Sequence, residues 1–598
     1  METFINVSLT LCTLYLFISF SPTVNASRWP WTTADNSGAG TRRTRAVNRP
    51  IPIDCKVGGW SSWTPCNSCT DKKFRFHYLE KPSQFGGTEC LETLWENLAC
   101  PTGTTECLVS DYCGESFTCN ETGRCISQSL RCNGESDCDD SSDEDGCVDF
   151  NLREDKCSTL LSIPGTERGT QGYNVLTSEF VDHVLDPRYF GGKCEYVYNG
   201  EWRKFNYDAF CENLHYNEDE KNYRKPYNYH AYRFVAEATS EGSQEYFDDI
   251  VSLLRARKGM RSSNGGVTFG IYHVEVGLSG SQESDFVHNI TRHKSEDLGF
   301  VRLSSKVQTA HFKMRSNKLM LHEDFYISLM ELPEQYDFGM YSRFFNTFGT
   351  HYVTEGTMGG TLEYVVVVNK TSMAESKLEG EQAGRCLGAS LGLSIPIGFV
   401  TVNPKVGLGP FCGKEGAFDG ATHSSSRVIE DIITLVKGGI THSSSGLLAI
   451  RNPDTYRNWG ATLKYNPTLI EYETMPIYEL VRLSTAADHI GARLANLQRG
   501  WDEYLQQFDS CRCAPCRHNG IPALTGTSCS CVCKSGYHGD ACEKTLRGDT
   551  KTDGAWSCWG AWSPCASGRK TRTRACNNPA PDGGGVTCLG SSSQTQRC

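Results

Sequence analysis

An acidic stretch near the amino terminus has the side chains needed to bind a cation. Eight carboxylates lie between positions 135 and 149 with no basic residue among them: Glu135, Asp137, Asp139, Asp140, Asp143, Glu144, Asp145 and Asp149. Carboxylates this close repel one another, and a bound cation relieves the repulsion. Six cysteines, the first Cys113 and the last Cys147, enclose all of these carboxylates except Asp149. The pattern predicts a small disulfide-stapled cation site, with a solvated acidic loop as the alternative.

No residue pattern indicates a catalytic centre. His351 has no nucleophile motif near it, and the Leu-His-Glu sequence at 321–323 lacks the second histidine of a zinc protease motif. The Gly-Leu-Gly sequence at 407–409 lacks the strand and acidic residue that accompany a nucleotide-binding loop. The sequence therefore predicts a protein that is not an enzyme.

The 30 cysteines of this 598-residue chain concentrate near its two ends. None lies between Cys211 and Cys386 or between Cys412 and Cys511. Cysteine clusters of this density are typical of small domains in oxidising compartments, and a chain this long divides into several domains. We therefore predict a secreted protein in which small stapled modules flank a large centre. The net charge of −11 argues against a nucleic-acid partner.

The first residues resemble a secretory signal peptide. An apolar run at 7–20 is followed by small residues ending at Ala26, which predicts a signal peptide over 1–26, although no Lys or Arg precedes the run. The sequence Arg-Arg-Thr-Arg at 42–45 resembles a furin-type processing site, so 27–45 is predicted to be a propeptide, with a charged linker as the alternative. Elsewhere in the sequence no run reaches about 18 apolar residues, the length of a spanning helix.

Residues 46–108 and 552–598 each combine closely spaced tryptophans with several cysteines, and they resemble thrombospondin type-1 repeats. Basic residues alternate in both, so on a strand they share one face and can stack on the tryptophans. These residues are Lys73, Arg75 and His77 in the first repeat and Lys570, Arg572 and Arg574 in the second. The resemblance also implies C-mannosylation of tryptophans, namely Trp60, Trp556, Trp559 and Trp562.

Two further modules resemble known cysteine-rich repeats. Residues 109–148 resemble a low-density-lipoprotein-receptor class A repeat, which implies a structural calcium ion. By that resemblance the side-chain ligands are Asn133, Asp137, Asp143 and Glu144, and the backbone carbonyl ligands are those of Leu130 and Glu135. Residues 511–543 resemble an EGF-like module with seven cysteines, and the repeat after it has five. Because both numbers are odd, we predict a bridge from Cys511 to Cys558.

Five cysteines remain for the centre once the leader and the end modules have taken theirs: Cys157, Cys194, Cys211, Cys386 and Cys412. An odd number leaves at least one without an intramolecular partner, which suggests an interchain disulfide in a secreted protein. Cys211 is the best candidate, because it lies in a polar, aromatic-rich insertion at 196–223. A buried free thiol is the alternative.

The sequence at 341–352 resembles the signature of the membrane-attack-complex/perforin family. It includes Tyr341, Phe348, Gly349, Thr350, His351 and Tyr352, and Gly359 and Gly360 follow it. The resemblance implies that 149–510 form an α+β domain, a bent antiparallel sheet with helical clusters that unfurl into membrane-spanning hairpins. Since glycine tolerates torsions that other residues avoid, the glycine pair is predicted to be a hinge of the sheet.

Segments near 240–305 and 375–440 are predicted to be the convertible ones. Apolar residues alternate with small or polar ones at 387–399, and a similar pattern begins at 267–271, as expected for a strand between lipid and lumen. Apolar residues at helical spacing in the same segments predict helices that later become strands, with ordinary amphipathic helices packed on a sheet as the alternative. These residues are Phe247, Ile250, Val251 and Leu254, then Val428, Ile429, Ile432, Ile433 and Val436. A further apolar stripe predicts a packing helix: Leu494, Leu497, Trp501, Leu505 and Phe508.

The order of modules resembles that of the terminal complement proteins. The resemblance implies a protein that joins a pore-forming complex, promotes recruitment of the ninth component and leads to lysis. It implies five partners: a lipocalin-fold gamma chain bound through Cys211, a beta chain, the membrane-bound terminal complement intermediate, the ninth component and the target bilayer. An adhesion protein is the alternative, since Arg-Gly-Asp occurs at 547–549. Possible glycan sites are Asn120, Asn289 and Asn369.

Overall fold

The computed structural model describes residues 50–598 except for the following segments: 67–70, 91–93, 102–112, 149–156, 158, 177–178, 199–203, 207–213, 216–220, 236, 255, 258–285, 287–288, 291, 294, 296, 376–379, 381–427, 441–458, 488–489, 526, 535 and 546–550. The predicted signal peptide and propeptide, the alternating patterns at 267–271 and 387–399, and the Arg-Gly-Asp sequence lie outside the described residues. So do Cys211, Cys386 and Cys412.

A large antiparallel sheet forms the centre of the molecule. Residues 364–368 read Tyr-Val-Val-Val-Val, a run that favours a strand buried on both faces, and all five are buried. The strands are β1 (Gln171–Asn174), β2 (Glu179–His183), β3 (Tyr229–Phe234), β4 (Glu237–Phe247), β5 (Leu298–Met314), β6 (His351–Asn369), β7 (Ile429–Lys437) and β8 (Thr468–Pro476). β5 pairs with β6, and every other strand adds to this pair directly or through a neighbour.

Both long strands change partners at the same level. β5 pairs with β4 up to Val307 and with β3 from Ala310 onwards, while β6 pairs with β8 up to Gly359 and with β7 from Thr361 onwards. The β5–β6 register shifts between Gln308 and Ala310, opposite Gly359. Such a bulge kinks a strand. The sheet therefore has two halves with a bulge at their junction.

Glycine is required at this junction because the backbones approach closely. A Cβ atom on Gly359 would lie 1.9 Å from the carbonyl oxygen of Val307, and one on Gly360 would lie 2.3 Å from Leu463 Cδ2. The predicted hinge glycines thus lie at the change of strand partners.

Four helices cover the half of the sheet that contains β3 and β8. They are α1 (Glu323–Met330), α2 (Phe338–Phe348), α3 (Ile477–Leu483) and α4 (Arg493–Gln507). α2 begins at Asp337, whose carboxylate accepts a hydrogen bond from Met340 N. The predicted packing helix is confirmed as α4, whose residues Leu497, Trp501 and Leu505 are buried in one core with α2.

The remaining modules are small paired strands held by disulfides. The strands are Lys56–Val57, Lys72–Phe76, Leu79–Lys81, Trp95–Ala99, Phe117–Thr118, Cys125–Ile126, Ile521–Thr525, Ser528–Val532, Tyr537–His538, Lys544–Thr545, Arg569–Thr573 and Ser593–Arg597. The bridges in them join Cys55–Cys90, Cys66–Cys100, Cys113–Cys125, Cys119–Cys138, Cys132–Cys147, Cys513–Cys529, Cys516–Cys531, Cys533–Cys542, Cys565–Cys598 and Cys576–Cys588. The predicted bridge between Cys511 and Cys558 is confirmed.

A separate sheet of three short strands is formed by parts of the chain around the insertion. Tyr196–Tyr198 pairs with Asn222–Arg224, which pairs with Leu161–Ser162, so the two ends of the insertion meet. Within the insertion, Lys204–Asn206 pairs with β4 and with Leu214–His215. Cys157 and Cys194, expected among the central disulfides, are bonded to each other.

We expect Gly359→Ala to lower the free energy of unfolding by about 1–3 kcal/mol, because the added methyl group overpacks a site bounded by backbone. Gly59→Ala is the control, since nothing lies within 4 Å of its Cβ position, and its effect is expected within about 0.5 kcal/mol. Urea unfolding of both variants checks this. Equal losses would show that the close approach at Gly359 does not constrain the sheet.

Candidate functional site

Two long connections leave the sheet at the same end. Residues 248–297 join β4 to β5, and residues 370–428 join β6 to β7. At that end Phe247 faces Phe300, Leu298 faces Asn369, and Val368 faces Ile429. Because each connection joins neighbouring antiparallel strands, each can lengthen its pair by adding residues in register. Both connections therefore begin and end on adjacent strands at one end of the sheet.

The described part of the first connection packs as helix against the sheet. Residues 250–254 and 256–257 are helical, and Ile250, Val251, Leu253 and Leu254 are buried with residues of the three strands β5, β6 and β7. Burial of each such side chain contributes about 1.5–3 kcal/mol. The predicted helical spacing of Ile250, Val251 and Leu254 is confirmed, whereas Phe247 ends β4. No helix among the described residues is long and apolar enough to cross a bilayer.

The helical prediction for 428–436 is wrong. Residues 429–437 form β7 and pair with 361–368 of β6. The strand is covered on both sides, and Ile432, Ile433, Leu435 and Val436 are all buried, two on each face. Apolar residues therefore occur at adjacent positions instead of alternating, and their spacing also fits a 3.6-residue period. Isoleucine and valine favour a strand in that environment.

A buried network of charges joins the helical residues 250–254 and 256–257, here called the stored helix, to the sheet. Arg257 donates hydrogen bonds to both carboxylate oxygens of Glu363 on β6, at 2.8 and 2.9 Å. Arg302 on β5 donates to Glu363 Oε1 at 2.7 Å and to Glu245 Oε2 on β4 at 3.0 Å. The side chains of Arg257, Arg302 and Glu363 are only 9–12% exposed. Release of the first segment must therefore separate Arg257 from a buried carboxylate.

The charge on Glu363 is maintained by its two partners. Burial favours the neutral acid, but the positive charges of Arg257 and Arg302 and their hydrogen bonds lower the pKa of Glu363 below the ordinary value. The carboxylate is therefore ionised at neutral pH.

We expect Glu363→Gln to lower stability by about 3–5 kcal/mol, because removing one partner leaves buried guanidinium charge uncompensated. Hydrogen exchange in the helix at 250–257 should accelerate. Urea unfolding and exchange mass spectrometry provide the measurements. Glu355→Gln is the matched control on the same strand, since Glu355 pairs with Lys313 in a largely exposed contact of 3.0 Å and should cost about 0–1 kcal/mol. Similar effects of the two substitutions would contradict the proposed role of burial.

A pH dependence follows from the lowered pKa of Glu363. The unfolded chain binds a proton at this site at higher pH than the folded chain, so the stabilisation is complete above the ordinary pKa of 4.5 and is lost as pH falls through the lowered pKa. We expect the stability difference between the parent and Glu363→Gln to shrink as pH is lowered below 4.5. Thermal unfolding in a pH series checks this, and a constant difference would be inconsistent with it.

The signature residues form the joint between α2 and β6. Gly349 ends α2 with a φ of +81°, which glycine adopts without strain. Thr350 N then donates to Tyr173 O at 2.9 Å, and Trp501 Nε1 on α4 donates to Thr350 O at 2.8 Å. Burial lowers the pKa of His351 to about 3, so this histidine is a neutral packing residue beside the Thr350 hydroxyl. The other signature residues are buried in the same core: Tyr341, Phe348 and Tyr352.

The acidic loop holds its carboxylates with backbone N–H groups. Asp143 is fully buried and accepts hydrogen bonds from the N–H groups of Asp137 and Cys138 at 2.9 and 3.2 Å. Asn133 Nδ2 donates to Asp137 Oδ2, and Glu144 accepts from the N–H groups of Asn133 and Gly134. In the described part of the chain no salt bridge joins Asp143 to a basic side chain. A buried carboxylate without a basic partner among oxygen-bearing neighbours fits a calcium site.

The described residues contain no group of three or more His, Cys, Asp or Glu side chains already arranged to hold a metal ion. The predicted ligands Asn133, Asp137, Asp143 and Glu144 are instead oriented by hydrogen bonds within the loop. Leu130, predicted to contribute its carbonyl, is buried at the end of a short 3-10 helix.

The predicted stacking of basic residues on tryptophans is confirmed in both end repeats. In the first, His77 stacks on Trp60 with ring centroids 3.8 Å apart, and the Arg75 guanidinium lies 4.6 Å from Trp60 and from Trp63. In the second, Arg574 stacks on Trp556 and Trp559, Arg572 on Trp559 and Trp562, and Lys570 on Trp562, at 4.3–5.3 Å.

The three predicted glycan sites differ in their surroundings. Asn120 is exposed, whereas Asn289 and Asn369 are half-buried. Asn369 Nδ2 donates to Glu430 Oε1 at 3.2 Å, and its Oδ1 accepts from Ser372 N at 3.0 Å. The side-chain amide of Asn369 therefore caps the start of the second connection.

Several residues that join modules were missed from the sequence. Asp502 on α4 accepts a hydrogen bond from Trp562 Nε1 at 2.9 Å, which ties the last repeat to the central domain. Arg124 of the cysteine-rich module at 113–147 forms a buried ion pair with Asp186 at 2.6 Å. Arg124 could have been singled out as a basic residue inside a small acidic module. Asp502 could not, because a carboxylate on the polar side of a helix is common.

Comparison with known families agrees with this arrangement. Residues 168–514 match the MAC/Perforin domain, and residues 111–147 match the low-density lipoprotein receptor domain class A. Residues 516–544 match the EGF-like domain of the complement components C8 alpha, C8 beta and C6. The first match covers the large sheet, both connections and helices α1–α4.

Individual relatives extend over nearly the whole chain. Complement component C8 alpha chain of Oryctolagus cuniculus is 43% identical over 93% of this chain and 96% of its own length. Complement component C8 beta chain of Mus musculus is 34% identical over 93% of this chain and 92% of its own length. Complement component C7 of Sus scrofa is 33% identical over 92% of this chain and 62% of its own length. The chain belongs to the MAC/perforin family and, within it, to the pore-forming terminal complement components.

Proposed function

We propose that this chain acts as the alpha chain of the eighth complement component, inserting β-hairpins into a target membrane and promoting recruitment of the ninth component. The observation that carries the proposal is the exit of 248–297 and 370–428 from the same end of one sheet, in register with its strands. Each connection exceeds the 9–11 residues of a membrane-spanning strand several times over. The stored helix would give up its burial on the sheet when the hairpin extends.

One chain alone cannot complete this process. The bilayer core offers no water to hydrogen-bond with open strand edges, so every inserted strand must pair with a neighbour. We propose that the neighbours are the beta chain, the membrane-bound terminal complement intermediate and the ninth component. The family membership favours pore formation over adhesion, and we assign no enzymatic activity to the chain. It would circulate as a secreted protein and insert on assembly.

The insertion at 196–223 is proposed to bind a lipocalin-fold gamma chain, with Cys211 as the interchain disulfide. The support comes from the sheet at its base, where Tyr196 and Tyr198 are 64% and 50% exposed. Exposed aromatic side chains side by side are typical of a protein contact.

We further propose that the end repeats are C-mannosylated thrombospondin type-1 repeats and that the class A loop binds calcium. The four side chains Asn133, Asp137, Asp143 and Glu144 would hold the ion together with the carbonyls of Leu130 and Glu135. The ion would neutralise the carboxylates and fix the loop. The buried carboxylate of Asp143 supports this assignment.

Reconstitution tests the proposed function directly. Dye release from liposomes is measured with the other terminal complement proteins present and this chain omitted, then restored. We expect release to require the chain, because only then does the growing pore acquire its hairpins and recruit the ninth component. The chain alone should release no dye, since its strands lack neighbours. No rescue by the restored chain would refute the assignment.

A further inference from the structure

The proposed calcium loop lies against the pore-forming domain at two places. On one side the Glu135 carboxylate accepts hydrogen bonds from both terminal nitrogens of Arg224, with Nη1–Oε1 and Nη2–Oε2 distances of 2.5 and 3.0 Å. Arg224 ends the strand Asn222–Arg224 and faces Tyr196 across the pair that closes the insertion. The acidic loop therefore contacts the base of the insertion through a bidentate ion pair.

Arg224 is itself held firmly in place. It is 8% exposed, and its guanidinium also donates to the carbonyl of Lys193 and lies 4.0 Å from the ring of Phe190. Lys193 precedes Cys194, which is bonded to Cys157. Glu135 thus meets the insertion at a residue that is also held by a disulfide-bonded segment.

The second contact is a buried hub around Arg124. Its guanidinium donates to the backbone carbonyl of Asp137 at 2.5 Å and to Asp186 at 2.6 Å, and it pairs with Glu323 at 2.9 Å. Glu323, the first residue of α1, also accepts a hydrogen bond from Asp139 N at 3.0 Å. Both Arg124 and Glu323 are 2% exposed. The loop is therefore bonded to α1 through its backbone.

The same residues thus serve both the ion and the interface. Glu135 would offer its carbonyl to calcium while its carboxylate holds Arg224 of the pore-forming domain. Asp137 would offer its carboxylate while its carbonyl holds Arg124, the residue of the same module that pairs with Asp186 and Glu323 across the interface. A cation that fixes these residues lowers the free energy of the docked conformation, and docking must strengthen cation binding by the same factor.

We propose that calcium binding is thermodynamically coupled to docking of the class A module on the pore-forming domain, and through Arg224 to the order of the insertion base. The proposal rests on the calcium site proposed above. Calcium would then stabilise the base of the proposed partner-binding insertion as well as the class A module itself.

Hydrogen exchange of the intact chain, with calcium and with EDTA, tests the coupling. We expect EDTA to accelerate exchange at 133–144 and also at three segments outside the module, namely 186–190, 222–224 and 320–324. The acceleration outside should be about 5-fold or more, the lower end of measured couplings. Calorimetric titration with calcium chloride measures binding in the same preparation.

Two variants distinguish coupling through Arg224 from a general destabilisation of the insertion base. Glu135→Gln keeps the proposed carbonyl ligand but removes the ion pair with Arg224, so it should weaken calcium binding about 5-fold by reciprocity and make exchange at 222–224 insensitive to EDTA. Glu195→Gln is the control, because it removes the contact of Lys225 with Glu195 at the insertion base without touching the acidic loop. That variant should keep the response to EDTA.

The outcomes distinguish the two proposals. Calcium binding with an exchange response confined to 133–144 would overturn the coupling and leave the calcium site intact. Absence of calcium binding would overturn both. Equal responses of Glu135→Gln and Glu195→Gln would overturn the assigned route through Arg224.

Discussion

The backbone ladder between β5 and β6 is the interaction on which the rest of the molecule depends. Residues 298–313 pair with residues 355–369, interrupted once by the bulge before Ala310. Each connection has one end on this ladder, the first at Leu298 and the second at Asn369. Because a ladder fixes register, a hairpin that extends from it inherits the alternation of faces already set by the sheet. The described sheet would therefore serve as a template for the proposed inserted hairpins.

Opposing demands act on the half of the sheet nearest the connections. The stored helix must be stable in water, which the burial of Ile250, Val251, Leu253 and Leu254 provides. It must also leave when strands replace it. The buried pairs of Glu363 with Arg257 and Arg302 impose a specific geometry on the packed helix. When the helix leaves, other partners or water would have to replace Arg257, because an uncompensated buried charge is costly.

The sequence predicted local features better than contacts between distant segments. The apolar stripe of α4, the alternation of Arg572 and Arg574 beneath tryptophans, and the bridge from Cys511 to Cys558 each follow from spacing or parity within a short stretch. In β7 the same method failed, since a strand buried on both faces has no polar face to reveal its period.

Contacts that join the candidate site to its surroundings were not predictable in this way. Arg257 meets Glu363 across 106 residues, and Arg124 meets Asp186 across 62. Charged residues are common, and only the fold selects which of them become buried together. The resemblance to a family predicted the architecture. The sequence alone did not predict that Glu363 on β6 would contact Arg257 of the helical segment.

The two halves of the sheet have different mechanical roles for a physical reason. In the half near α2, Thr350 O accepts hydrogen bonds from both Trp501 Nε1 and Ile477 N, so strand, α3 and α4 share one carbonyl. In the other half, the described contacts between the stored helix and the strands are side-chain contacts, apolar or ionic. Apolar packing can be replaced by lipid or by a neighbouring subunit, and the Arg257–Glu363 ion pair can be replaced only by other polar partners or by water. The buried carbonyl of Thr350 would lose two donors at once, which carries a penalty. The conversion proposed above would therefore involve the half beyond Gly359, while the signature residues would hold the other half in place.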